Sequence, residues 1–184
     1  MTHVDLGSVL RDSTQSEFRN LVTRDTGAKV RIAVERQLAG LADGTVMYLD
    51  FSHIGLLDRS CADEFLNKLM LSLTGERPAH DGYVMIHGVN DLHMEIIETV
   101  LEAHSLALVV RVAGDGAVRL VGAVTDEERR CWDLVMQQGE ADADVVAAET
   151  GIPCEACGRM LDGLARRRLL RREAHRYLPL GSAA

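Results

Sequence analysis

The sequence predicts an α/β sheet domain followed by a small α+β domain. Three observations carry that expectation. Up to about residue 121, short strand-like apolar runs alternate with longer runs at helical spacing. At Thr125 the texture changes, and a capping signature opens three helix-length segments in succession. The chain then closes on two short apolar stretches around an arginine-rich turn, which is a hairpin pattern.

Taken in order, residues 4–10 have weak strand character. Over residues 26–41, Val30, Ile32, Ala33, Val34, Leu38 and Leu41 mostly share one helical face, and Asp43-Gly44 marks a turn. Residues 45–51 are short, apolar and rich in β-formers, so a buried strand is expected. Residues 58–73 predict a strong helix, with Phe65, Leu66, Leu69, Met70 and Leu73 on one face. Thr74-Gly75 and Pro78 close it. Residues 83–87 form the next strand, and Asn90 or Asp91 caps a helix reaching about residue 104. Strands are expected at 106–112 and 118–121, with Gly114-Asp115-Gly116 as the hairpin turn. Alternating strands and helices imply right-handed crossovers and a sheet with helices packed on it.

In the second domain, Thr125-Asp126-Glu127-Glu128 is a capping box, and Gly139 stops the helix after Gln138. A second helix runs over 142–150 and ends at Gly151. Pro153 suits the first turn of a third, which carries Met160, Leu161 and Leu164 inward. Leu169-Leu170 and residues 177–180 read as two short strands around a tight wing. The expected domains are 1–124 and 125–184, the second being a winged helix.

Composition narrows the function classes. The 184 residues are 47% hydrophobic and 26% charged, an ordinary globular balance. Aromatics at 4% argue against a stacking platform for single-stranded nucleic acid. Of the net charge of −8, residues 151–184 carry +4, from seven arginines against Glu155, Asp162 and Glu173. Residues 1–150 carry −12, so the tail suits phosphates and the body repels them. The start has no basic n-region and no apolar h-region, and no run is long enough to span a bilayer. A cytoplasmic chain without membrane contact is expected, its four cysteines reduced.

Two resemblances sharpen this. Residues 127–180 resemble the winged helices of bacterial transcription regulators. The match rests on the segment from Val145 to Pro153, as positioning helix and turn, and from Arg159 to Leu170, as recognition helix and exit. Many such proteins have glycine just before the paired leucines, where this chain has Arg168. Residues 18–121 resemble the STAS-like domains of unknown function, distant relatives of anti-sigma factor antagonists. The carrying residues are Thr23-Arg24-Asp25-Thr26-Gly27, the stretch from Leu49 to Asp58, and Ser60-Cys61-Ala62-Asp63-Glu64-Phe65. In antagonist relatives the serine directly after the loop aspartate is phosphorylated by an ATPase-type kinase. That position is Arg59 here, and Ser60 is the nearest substitute.

The candidate residues have two readings each. Asp58 and Ser60 form a switch at a helix start, where the free N–H groups favour phosphate, or they simply cap the helix. Asp63 and Glu64 face a partner protein, or only suit the dipole of the first turn. Arg159 and Arg166 on the third tail helix, with Arg171, Arg172 and Arg176 on the wing, contact bases and phosphates of double-stranded DNA, or form a solvated face. Glu155 at that helix start disfavours phosphate. Cys154-Glu155-Ala156-Cys157 places two thiols at helical spacing, but with only Cys131 and His175 to complete a zinc site, packing is the simpler reading. Asn90 and Asp91 near His93 read as helix caps rather than catalytic groups. No phosphate loop or nucleophile elbow occurs, so no catalysis, metal or cofactor is expected. The expected function is a dimeric transcriptional regulator, in which a STAS-like switch is coupled to a DNA-binding winged helix. The alternative is a protein-interaction switch that engages an anti-sigma or histidine-kinase-like ATPase, its winged helix docking protein.

Overall fold

The computed structural model describes residues 2–181 except 16, 18, 76, 77, 79 and 113–115. The chain divides into two compact units, 1–123 and 124–184.

In the first unit, β1 (Thr2–Asp5) is followed by α1 (Leu6–Thr14) and α2 (Arg24–Ala39). The expected strand over 4–10 is corrected here: only its first two residues are strand. Leu6, Val9 and Leu10 are buried at helical spacing, and the Asp5 carboxylate caps α1 by accepting from Gly7 N at 2.9 Å. Next come β2 (Val46–Asp50), α3 (Arg59–Ala62), a π-helical turn (Asp63–Asn67) and α4 (Lys68–Thr74). Four consecutive residues of the π turn, Glu64 to Asn67, are buried, more than a regular helix turns to one side. The unit ends with β3 (Tyr83–His87), α5 (Asp91–Ala103), β4 (Ala107–Arg111) and β5 (Val118–Gly122). Asn90 caps α5 by accepting from His93 N at 2.8 Å, as the capping reading expects. Gly114 and Asp115 of the expected hairpin turn lie outside the described residues.

The five strands lie in the order β1-β2-β3-β4-β5, the first four parallel and β5 antiparallel. Each parallel crossover steps in the same direction. Right-handed crossovers that all step one way place every helix on the same face. One alternation of the strands, including Val4, Met47, Leu49, Val84, Ile86, Leu108 and Val110, accordingly joins the helical side chains in a single core. On the other alternation His3 stacks on Tyr48, with ring centroids 4.9 Å apart.

The second unit comprises α6 (Asp126–Gln138), α7 (Ala143–Thr150), α8 (Cys154–Arg166), β6 (Arg171–Glu173) and β7 (Arg176–Leu178). The Thr125–Glu128 capping box and the left-handed Gly139 bound α6, as expected. Pro153 is the cap residue of α8, one position before its first turn. The second wing strand falls where expected, at Tyr177 and Leu178, whereas the first is corrected: it starts at Arg171, because Leu169 and Leu170 are fully buried ahead of the hairpin. Of the three residues expected inward on α8, Leu161 and Leu164 are fully buried and Met160 is half-buried. Ala141, between α6 and α7, forms an antiparallel bridge with Tyr177, exchanging hydrogen bonds of 3.0 and 2.8 Å.

Arg168 leaves α8 at φ 61°, in the left-handed conformation usually given to glycine. That conformation costs a residue with a Cβ about 1 kcal/mol. Arg168→Gly is therefore expected to raise the unfolding free energy by about 0.5–1 kcal/mol, measured by urea denaturation. A fall in stability would show that the side chain contributes more than its backbone costs.

Candidate partner-binding surfaces

The first candidate surface is the start of α3. Asp58 caps this helix: its Oδ1 accepts from Cys61 N at 2.7 Å and from the Ser60 hydroxyl at 2.9 Å. Its Oδ2 accepts from Thr23 N at 3.4 Å. Thr23 holds φ 72°, ψ 147°, a strained conformation for a β-branched residue, while its own hydroxyl caps α2. Although partial burial pushes the Asp58 carboxyl up, the N–H and hydroxyl donors outweigh it and hold it below its ordinary range. A phosphoryl group on Ser60 would thus meet an ionised carboxylate at hydrogen-bond distance. Arg59 points outward, exposed and without an ion pair among the described residues.

Asp63 and Glu64, expected at a partner-facing position, are held within the unit. Asp63 contacts Arg24 at 2.9 Å and His104 at 2.6 Å, and accepts from Asn67 at 3.3 Å. Glu64 is buried, with Lys68 at 2.6 Å and Arg31 at 3.5 Å. The charges therefore tie the π turn to α2 and to the end of α5. Partial burial pushes the Asp63 carboxyl up, but hydrogen bonds from His104 and Arg24 outweigh it and leave it below the ordinary value. A depressed carboxylate stabilises fully above its unfolded pKa, about 3.9, and loses that contribution as pH falls through the folded value. Unfolding free energy is expected to drop below about pH 4, and Asp63→Asn to flatten part of that drop. Urea midpoints across this range check it, and an unchanged slope in the variant would rule the effect out.

A groove of about 310 Å³ lies between residues 55–59 and α5. Leu56, Leu57, Leu92 and Ile96 line it, together with Arg59, His93 and Glu95. Leu56 is 58% exposed and Leu92 67%, whereas His93 is only 2% exposed. Residues 55–57 are pinned from behind: Leu21 N donates to Leu56 O at 2.7 Å, and Gly55 N donates to Arg19 O at 2.6 Å. Sequence reasoning missed this groove, since its two walls come from separate segments. The signal was Leu92, an apolar residue one step inside a capped helix start, off the face of Ile97, Val100 and Leu101.

On the second unit, the arginines of α8 and the wing are mostly paired with acids of the same unit. Arg159 contacts Glu155 at 2.6 Å, Arg171 contacts Glu173 at 3.4 Å, and Arg172 contacts Asp162 at 2.9 Å. Arg176 pairs with Glu140. Tyr177 donates to Asp162 at 2.7 Å, and burial together with that carboxylate pushes its phenol up to about 12. Arg166 is exposed and unpaired among the described residues. The face is therefore one of mixed charge.

The two cysteines of α8 differ in burial. Cys157 is fully buried, while Cys154 is exposed and lies 3.0 Å from Asp144. Packing accounts for Cys157 alone. Burial pushes the Cys61 and Cys131 thiols up to about 12, which keeps both protonated. Among the described residues no three His, Cys, Asp or Glu side chains converge as metal ligands would. No helix there is long and apolar enough to cross a membrane. No protein-family model matches the chain, and no curated protein matches it.

Proposed function

We propose that this chain is a non-catalytic regulatory protein in which a STAS-like unit and a winged helix both dock protein partners. Support for the STAS-like reading comes from the parallel sheet with helices on one face and from the aspartate-capped helix after β2. Support for the winged helix comes from its element order, three helices then a hairpin, and from the Ala141–Tyr177 bridge that ties the hairpin to the α6–α7 link.

The observation that carries protein docking over DNA is the charge balance of α8 and the wing. Four of the five arginines expected to meet DNA already face carboxylates of their own unit. A DNA reader needs a net positive footprint, and a face that supplies its own anions has little attraction for phosphates. The partner at the first unit is an anti-sigma or histidine-kinase-like ATPase, held by the exposed Leu56 and Leu92 beside α3.

DNA binding by a dimer remains the second reading, favoured by the helix-turn-helix order and by the unpaired Arg166. Fluorescence anisotropy with a mixed-sequence duplex at low salt separates the two. Binding weaker than about 10⁻⁴ M, the weak end of non-specific affinity, is expected. Tighter binding that Arg166→Ala with Arg172→Ala weakens would overturn protein docking in favour of DNA. Affinity capture from the native host tests the first unit: recovery of such an ATPase, lost on Leu56→Asp, supports the reading, and its absence from the captured proteins counts against it.

A further inference from the structure

The groove beside α5 has two walls that are tied together. On α5, Leu92, Ile96 and Thr99 line it at i, i+4 and i+7, so it follows that helix for two turns, about 10 Å. The facing wall is the segment 55–57 with Arg59. His93 Nε2, on α5, lies 3.2 Å from the Gly55 carbonyl and joins one wall to the other. Much of the second wall's backbone is already occupied. Gly55 N donates to Arg19 O, Leu56 N to Asn20 Oδ1 and Asp58 N to Leu21 O, while the Leu56 carbonyl accepts from Leu21 N. An extended peptide that binds as an added strand needs free N–H and C=O groups along the edge it joins. A helix satisfies its own backbone and asks only for an apolar slot.

Two charges stand on this slot, one on each wall. Arg59 and Glu95 are both exposed, and neither side chain has an ion pair among the described residues. We infer, resting on the protein-docking reading above, that the occupant is an amphipathic α-helix of the partner, with an acid on one side of its apolar stripe and a base on the other. The stripe covers Leu56, Leu92 and Ile96, the acid meets Arg59, and the base meets Glu95. Turning a helix end for end in a groove exchanges its two flanks. The opposite signs of the walls therefore also fix the direction in which the helix lies.

The probe is a labelled synthetic peptide of about 18 residues, long enough to hold a helix. It carries leucines at i, i+3, i+4 and i+7, glutamates on one flank and lysines on the other. Fluorescence anisotropy with the full chain is expected to show saturable one-to-one binding, lost on Leu56→Asp. Double-mutant cycles read the charges. Glutamine in place of the peptide's glutamates should weaken binding to the parent chain about two- to fivefold and leave binding to Arg59→Gln unmoved. Glutamine in place of its lysines should behave the same way against Glu95→Gln. A proline at the peptide's centre, which breaks a helix, should abolish binding. A proline peptide that binds as well as its parent, or cycles without coupling, overturns the helical occupant. Absent saturable binding overturns it as well; the docking reading then stands if the ATPase is still captured through Leu56, and falls with it if no ATPase is captured.

Discussion

Gly122→Ala is expected to destabilise the first unit by about 3–5 kcal/mol, combining backbone strain with overpacking. Gly122 ends β5 at φ +100°, outside the range that a residue with a Cβ holds comfortably. A Cβ there would lie 2.5 Å from the Leu106 carbonyl oxygen and 2.8 Å from Leu101 Cβ. Neither neighbour yields cheaply. The carbonyl already accepts from Ala123 N at 2.8 Å, and Leu101 is fully buried on α5. Gly116 supplies the control: its φ is +68°, but nothing lies within 4 Å of its Cβ position. Gly116→Ala should cost only the backbone share, about 1 kcal/mol. Guanidinium denaturation of both variants checks the difference, and equal losses would defeat the steric argument.

Trp132→Ala should cost the second unit a similar amount, about 3–5 kcal/mol. Trp132 is 2% exposed on α6, and its indole N–H donates to the Leu169 carbonyl at 3.1 Å in a buried setting. That bond holds the exit of α8 just before the wing. Trp132→Phe separates the two contributions, since most of the ring packing stays while the carbonyl loses its donor. Its expected cost is about 1–3 kcal/mol, the penalty of an unsatisfied buried group. As Trp132 is the chain's one tryptophan, unfolding is followed by circular dichroism. A Phe variant as stable as the parent would show that the carbonyl finds another donor.

Much of the sheet could be read from sequence because its elements are strongly patterned. Residues 83–87 form a strand of the expected extent, and Asn90 and Thr125 cap their helices as expected. α1 was hidden because Val4 to Leu10 contains both patterns: a strand run ends and a helical spacing begins at Asp5, whose capping role depends on Gly7 and Ser8. The first wing strand was misplaced for a different reason. Leu169 and Leu170 have strand composition, but they are drawn into the interior beside Trp132 and the strand starts after them, at Arg171. The candidate surfaces were less legible still. Nothing in Arg172 or Arg176 as letters discloses an acid elsewhere in the fold, whereas the Arg159–Glu155 pair, four residues apart on α8, was open to reading. Arg172 meets Asp162 across ten positions and Arg176 meets Glu140 across thirty-six, and only the fold brings them together.

The π-helical turn at Asp63–Asn67 bears on how this chain can change length. A π turn holds one more residue than the α-helical turn it interrupts. Removing a single residue there lets the helix heal, with α3 and α4 keeping their own orientation about the axis. Elsewhere in a helix the same deletion rotates everything beyond it by about 100° and turns buried leucines outward. This short segment is thus a place where descendants of the chain can lose a residue without rebuilding the core. The toll falls instead on the charged ties of Asp63 and Glu64 to α2.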